Sequence, residues 1–337
     1  MKAFVSGASG FIGGALASYL EKEGWEVHVL VRPTALAKLP RNHRYRVLVG
    51  NLGQDVPGLR EAVRGSDVVF HAAAIRDRWG TTLDTYQRVN IEGTRRLLEA
   101  CLGQVQRFVY LSSVGVFGKQ GVLGIDETFP LSTSGGKIGY HGSKVGAERV
   151  VLERVGDIEV VVIRPTITYG PGDWDGMLTR LIAMIKRGRF LLVGDGTNHF
   201  HLTYITDLVH GLHLAGTHPA APGQIFIVAG PASIAVAGLL QMIEQSLNRK
   251  ASRHYIPERL ARLAAASIEI VYQAGASLDL APFRSPPIIT RDKIDTLCSH
   301  RGFSSAKAEQ LLGYLPKVNY LEGLSCTMAW MASNGLL

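Results

Sequence analysis

Cysteine is scarce in this chain of 337 residues. Cys101, Cys298 and Cys326 lie far apart, form no CxxC pair and have no histidine at metal-ligand spacing nearby. A disulfide framework and a zinc site are excluded, and a reducing compartment is the default. Long apolar runs are missing too. The longest uncharged stretch, around Ile225 to Leu240, is broken at Gly230-Pro231, and each half is shorter than the ~20 apolar residues of a membrane span. A strand pattern begins at once (Lys2-Ala3-Phe4-Val5) without charged leader, apolar segment or cleavage site, so the expected location is the cytoplasm, with no stable membrane insertion. Internal repeats, low-complexity segments and a Gly-X-Y period are absent. Charged residues make up only 19% beside 46% hydrophobic ones, a mixture that buries a core and argues against disorder.

Glycine, in contrast, is abundant at 38 residues, which points to tight turns or close backbone approaches to a ligand. The charge balance is 36 − 28 = +8. Arg32, Lys38, Arg41, Arg44 and Arg46 crowd behind one strand, and no basic helix face or aromatic-interleaved stripe appears elsewhere. That distribution favours a phosphorylated small ligand over nucleic acid.

Residues 1 to 165 alternate short apolar runs (3–5, 27–31, 46–49, 68–70, 108–111, 160–163) with helical periodicity such as Ile12, Leu16, Leu20 and the stretch Ile91 to Leu102. This alternation predicts an α/β fold, a doubly wound parallel sheet of the Rossmann kind. The rhythm changes after Pro165. Gly170-Pro171-Gly172 reads as a turn, Met177 to Arg187 as a helix, Phe190 to Val193 as a short strand and Gln224 to Val228 as one more buried strand. From Ser233 the chain is mostly helical with breaks at Pro282 and Pro286-Pro287. The expected division is a dinucleotide-binding domain over 1–168 plus about 202–229, and a smaller, mostly helical substrate lobe over 169–201 and 230–337.

Gly7-Ala8-Ser9-Gly10-Phe11-Ile12-Gly13 follows the first strand and opens a helix. Gly7 permits the tight turn, Gly10 lets a pyrophosphate approach the backbone, Gly13 allows close helix packing, and the helix N-terminus supplies free N–H groups. The second strand ends in Val31-Arg32, where a ribose 2′-OH of NAD calls for an acid. Arg32 can instead pair with a 2′-phosphate, which favours NADP, with NAD as the alternative. Tyr140 and Lys144 stand at i and i+4, one above the other on a helix. For a phenol of ordinary pKa about 10 to exchange a proton near neutrality, roughly 4 kcal/mol is required. An ammonium about 4 Å away at an effective dielectric of about 20 supplies that much. Leu111-Ser112-Ser113 adds a hydroxyl at the carboxyl edge of the sheet. His199 and His201, at alternating positions of a short strand, read as structural or substrate-lining, since no carboxylate stands at ligand spacing; no metal is expected. Leu260 to Leu280 reads as a core or lid helix.

Together these motifs resemble the extended short-chain dehydrogenase/reductase family, the NAD(P)-dependent epimerase/dehydratase superfamily, over nearly the whole chain. They run in order: the glycine turn, His71-Ala72-Ala73-Ala74, Asn90-Ile91-Glu92-Gly93-Thr94, Ser112 to Gly118, Tyr140-xxx-Lys144, Arg164-Pro165 and Tyr169-Gly170-Pro171. The resemblance implies that Ser113 binds the substrate oxygen, Tyr140 is the acid/base, and Lys144 holds the nicotinamide ribose and acidifies the phenol. It implies that Asn90 and Pro165 position the chain and the nicotinamide. Ser9, Phe11, Ile12, Asn51, Leu52, Ala72, Ala73, Ala74, Pro165 and Ile167 complete the expected cofactor contacts. Ile75, Phe117, Phe200 and His201 are the expected substrate contacts. Tyr204 and Asp207 match a structural motif of the family.

Three departures shape the expected activity. Asn51 stands where the family usually has an Asp, Phe200 where members acting on nucleotide sugars carry an Arg, and Ile167 where they commonly carry Asn. The C-terminal Gly302-Phe303-Ser304 through Leu321-Glu322-Gly323 is similar to the 3β-hydroxysteroid dehydrogenase and dihydroflavonol reductase branch. The expectation is an NADP-dependent oxidoreductase that interconverts a secondary alcohol and a ketone on a largely apolar, steroid-like small molecule, acting as a homodimer. A nucleotide-sugar 4-epimerase or dehydratase is the alternative, and a catalytically silent dinucleotide sensor the third.

Overall fold

The structure is a computed structural model that describes the chain apart from residues 77–79, 119–120, 133–138, 189, 250–254, 278–286 and 288. Pro282, Pro286 and Leu280, invoked above as breaks and a helix end, lie outside the described residues. In chain order come β1 (Lys2–Ser6), α1 (Phe11–Lys22), β2 (Glu26–Val31), β3 (Arg46–Val49), α2 (Leu59–Val63), β4 (Val68–His71), α3 (Leu83–Tyr86), α4 (Glu92–Cys101), β5 (Arg107–Leu111), α5 (Tyr140–Leu152) and β6 (Glu159–Pro165). They are followed by β7 (Ile167–Tyr169), α6 (Met177–Lys186), β8 (Leu192–Val193), β9 (His199–Phe200), β10 (Leu202–Tyr204), α7 (Ile205–Thr217) and β11 (Ile225–Val228). The last are β12 (Ile234–Ala235), α8 (Val236–Leu247), β13 (Tyr255–Ile256), α9 (Glu258–Ser277), α10 (Arg291–Cys298), α11 (Ala306–Leu312) and α12 (Tyr320–Ser333).

Seven strands form one sheet in the order β11-β6-β5-β4-β1-β2-β3, all parallel. This is the expected doubly wound α/β arrangement, because β1 lies centrally and the crossovers run outward from it on both sides. Alternate residues of each strand feed opposite layers. Val5, Val29, Phe70 and Val109 join Leu16, Leu20, Leu208 and Leu212 under α1 and α7. Phe4, Leu30, Val69 and Phe108 join Leu97, Leu98, Ala147 and Val151 under α4 and α5. Burial on both faces explains why β1, β4, β5 and β6 read as apolar runs without alternation. The edge strand β3, by contrast, exposes Val47 and Val49.

After β6 the strands become short: β7 pairs β10 and β8 pairs β13 in parallel, and β9 pairs β12 antiparallel. Pairs of two or three residues carry no readable period, so β12 and β13 escape sequence analysis and the strand expected over 190–193 shrinks to Leu192–Val193. The helix expected from Ile91 is preceded by a π-helical turn, Gln87–Ile91. His199 and His201 both meet the segments around 230–233 and 300–303. His199 belongs to β9 and bonds Ser233, whereas His201 lies between β9 and β10 and faces Gly230 and Phe303. Among the described residues no helix is long and apolar enough to cross a membrane, and no cluster of His, Cys, Asp or Glu is arranged to hold a metal.

Candidate active site

Parallel strands deliver their carboxyl ends to one edge, and most of the expected cofactor residues and Ser113 follow those ends, whereas Tyr140 and Lys144 lie on α5 and Asn90 on the π-helical turn before α4. Gly7 succeeds β1, Arg32 β2, Asn51 and Leu52 β3, Ala72 to Ile75 β4, Ser113 β5, and Pro165 ends β6. The glycine turn is held at φ +81° at Gly7, where a Cβ would stand 2.7 Å from the Ala73 nitrogen. A Cβ on Gly13 would stand 2.4 Å from the Gly7 oxygen, so the first turn of α1 packs directly on the loop. Gly10 caps α1 through its backbone alone, with no side chain on the leading amides of the helix. Exposed Gly10 and these uncapped N–H groups form a cradle that fits a dinucleotide pyrophosphate. Arg32 is exposed and leads a 3₁₀ turn over Pro33–Lys38, with no ion pair recorded for it among the described residues. Asn51 accepts the Gly53 N–H (3.0 Å), and the Leu52 carbonyl is fixed by Arg96 (2.8 Å).

Among the catalytic candidates, Asn90 and the Tyr140 backbone are joined by a continuous run of hydrogen bonds that begins at the loop after β4. The Ala73 N–H donates to the Ser6 hydroxyl (3.3 Å), which meets Nδ1 of His71 (2.7 Å). His71 Nε2 meets the Thr94 hydroxyl (2.8 Å), which donates to the Asn90 carbonyl (2.6 Å). Because Thr94 spends its proton on Asn90, His71 must donate from Nε2 and accept at Nδ1. That assignment is a neutral ring, in keeping with burial and the Lys144 charge, which push its pKa down to about 3. The Asn90 side chain clamps both backbone groups of Ile75 (2.8 and 3.0 Å) and donates to Ser143 (2.9 Å), which donates to the Tyr140 carbonyl (2.7 Å). One π-helical residue thus ties the loop after β4 to the first turn of α5.

Lys144 is 4% exposed. Its ammonium donates to the Leu111 carbonyl (2.8 Å) and stands 4.9 Å from the centre of the Tyr110 ring. Burial lowers its pKa to about 8, against an upward pull from Glu148. Glu148, one turn further along α5 and fully buried, forms a two-bond ion pair with buried Arg164 (3.0 and 2.7 Å) and accepts the Ser112 hydroxyl. Arg164 also lies over the Phe117 ring at 4.9 Å. Ser113 accepts the Gly115 N–H (3.0 Å) and caps the turn Val114–Phe117. The pair was not singled out from sequence, although Glu148 repeats the i, i+4 spacing of Tyr140 and Lys144.

Three of the expected substrate contacts are buried side chains. Phe117 has no exposed surface and packs on Phe129 and Phe303 (6.0 and 6.1 Å between ring centres). Phe200, 1% exposed, is held in the core by the β9–β12 pair. Both His201 nitrogens are engaged, by the Gly230 carbonyl (2.9 Å) and the Phe303 N–H (3.3 Å). Ile75 and Ile167 are half-buried at the sheet edge. Trp174, which sequence analysis passed over, is 59% exposed, edge-on to Trp330 at 4.9 Å. It follows the Gly170-Pro171-Gly172 turn, where Gly172 faces the Phe11 ring.

The model of the NAD dependent epimerase/dehydratase family matches residues 3–229, which contain the glycine turn, Tyr140, Lys144 and the whole sheet. The chain belongs to that family. It is accordingly an NAD(P)-dependent oxidoreductase of the extended short-chain dehydrogenase/reductase type. A 3-beta-hydroxysteroid dehydrogenase of Mycolicibacterium neoaurum is 31% identical, covering 94% of this chain and 87% of the relative. A 2-alkyl-3-oxoalkanoate reductase of Stenotrophomonas maltophilia is 30% identical over 96% and 97%. A crystal structure of UDP-glucuronic acid 4-epimerase from Bacillus cereus, in complex with UDP-glucuronic acid and NAD, superposes with TM-score 0.76 at 23% identity, covering 99% of this chain and 100% of that one. This last likeness is one of fold. Asp207, in the family motif after β10, accepts the N–H groups of Lys317 and Val318 (3.0 and 3.2 Å) and so ties α7 to the approach to α12.

Proposed function

We propose that this family member interconverts a secondary alcohol and a ketone on a largely apolar small molecule, with NADP as cofactor. The observation that carries the reading is the buried Lys144 ammonium, fixed on the Leu111 carbonyl one helical turn from Tyr140. The Gly7–Gly13 turn, Arg32, Asn51, Leu52, Ala72 to Ala74 and Lys144 would hold the cofactor, which would supply or take the hydride when bound. Tyr140 gives or takes the proton at its phenol oxygen. Lys144 stabilises the phenolate, and Ser113 hydrogen-bonds the substrate oxygen. Asn90, through Ser143 and Ile75, sets the entry of α5 against the loop after β4.

An apolar substrate is supported by Ile75, Ile167 and exposed Trp174 at this edge, and by the substrates that the two relatives' names state. Phe200 stands where members acting on nucleotide sugars carry an Arg, and a buried diphosphate without a cation costs several kcal/mol. Purified protein should oxidise NADPH with hydrophobic ketones in an absorbance assay. Calorimetry of the NADP-loaded protein should find no affinity for UDP, dTDP or GDP tighter than millimolar. Micromolar binding of any of them would favour the epimerase reading, with Arg180, Lys186, Arg187 or Arg189 as phosphate contact, the last outside the described residues.

Arg32 is worth about 1.5–3 kcal/mol on a 2′-phosphate, roughly a tenfold to hundredfold preference for NADPH. Replacing Val31 by Asp and Arg32 by Asn should reverse the order in fluorescence titrations. A wild type that prefers NADH would make Arg32 a solvated charge. Assembly as a homodimer through α4 and α5 is part of the same reading, and a monomeric mass by light scattering at micromolar concentration would remove it.

A further inference from the structure

Helix α9 buries one face and leaves the other uncovered. Ala261 and Ala265 pack with Ile294 of α10, where Val193, Ile256 and Cys298 join them. Away from that contact Leu260, Leu263, Ile270 and Val271 are 58, 67, 67 and 56% exposed. Their spacing of three and four residues sets them, with exposed Ala264 and Ser267, on one stripe along the helix. None of these six positions carries a charge. The Ser267 hydroxyl, the one polar side-chain group among them, donates to the Leu263 carbonyl (3.1 Å) and so is satisfied without water. Exposed Tyr255 of β13 and Leu191, beside the partner strand β8, add two more large side chains at the N-terminal end of α9. A contiguous stripe of this length differs from the scattered apolar residues that any surface carries.

The charges of α9 lie off the stripe. Arg262 pairs with Glu258 (2.9 Å) and with Asp295 of α10, and Glu269 binds Arg291 (2.7 Å). The acids of this helix are thereby matched, while cations border the stripe. Exposed Arg259 stands one turn before Leu263, exposed Lys186 and Arg187 close α6 shortly before β8, and Arg249 donates to the Lys186 carbonyl. We propose that α9 docks the protein on an anionic lipid surface, with Leu260, Leu263, Ile270 and Val271 entering the acyl boundary and Arg259, Lys186, Arg187 and Arg249 meeting the headgroup phosphates. A helix of 20 residues with one apolar stripe and charged flanks lies in the plane of the interface, in keeping with the absence, among the described residues, of a helix long and apolar enough to cross. The attraction of the cations adds to the buried apolar area and is screened by salt. This docking does not depend on the ketone reading, although an apolar substrate would concentrate in the same layer.

The test floats the full-length protein with vesicles of phosphatidylcholine alone and with vesicles about one third phosphatidylglycerol. The wild type should partition at least about tenfold more strongly onto the anionic vesicles, and high salt should weaken that binding. Leu263→Gln combined with Ile270→Gln should lower the partition at least about tenfold, with melting temperature and NADPH affinity unchanged because both side chains are exposed. Arg259→Gln should weaken binding to the anionic vesicles and leave binding to the neutral ones as it was. No flotation of the wild type, or equal flotation of the double variant, overturns the inference. A lipid-free mass that falls in the double variant makes the stripe a contact between copies of the chain, and a loss of turnover on a water-soluble ketone without vesicles makes it a lid; either result with unchanged flotation overturns the docking role. Failure of the wild type to reduce any ketone removes the ketone reading and leaves the vesicle result standing.

Discussion

Tyr140→Phe is expected to abolish turnover, by about 10²–10⁴-fold or more in kcat, while cofactor affinity stays near that of the wild type. The change deletes one oxygen, the atom assigned to move the proton, and leaves the ring beside His141 and the Ser143 bond to the residue 140 carbonyl in place. Lys144→Met should lose turnover and cofactor affinity together, because one ammonium is assigned to both the phenolate and the ribose. The same group predicts a pH dependence. Its pKa is lowered to about 8, so the ammonium is present below that pH and is lost as pH rises through it. Cofactor affinity should therefore decline above about pH 8 in the wild type and lose this step in Lys144→Met. Near-wild-type turnover in Tyr140→Phe would transfer the proton to another group and undo the proposed mechanism.

What could be read from sequence divides along physical lines. The glycine turn, the strand ends and the Tyr140/Lys144 spacing were legible because each obeys a local rule: a positive φ at Gly7, carboxyl ends on one edge, one helical turn between side chains. The burial of Phe117 and Phe200 was not legible, because it is decided by partners distant in sequence, Phe303 for one and β12 for the other. The Ser6–His71 bond joins positions 65 residues apart, and the Asn90–Ser143 bond 53 apart, so no window of sequence contains them. Glu148 was the nearest miss, since its spacing from Lys144 was visible. Its partner Arg164 was quoted only as part of Arg164-Pro165, and nothing local says that a β6 residue faces α5.

That pair carries the second large effect. Glu148 and Arg164 are 0% and 2% exposed, and removing one partner of such a pair strands a charge at a cost of about 3–5 kcal/mol. Unfolding entropy of about 2.1 cal/mol/K per residue gives roughly 0.7 kcal/mol/K for a chain of this length. Arg164→Met should therefore lower Tm by about 4–7 °C if unfolding is two-state. Changing Glu148 to Met as well should recover part of the loss, because the stranded carboxylate disappears; fully additive losses would show that the two charges do not act as a pair. Glu148→Gln has a further consequence for the site. Glu148 is the group that pulls the Lys144 pKa upward against burial, so without its charge the ammonium gives up its proton at lower pH. The decline in cofactor affinity should then move below about pH 8, whereas an unmoved profile would confine Glu148 to holding Arg164 and Ser112 in place.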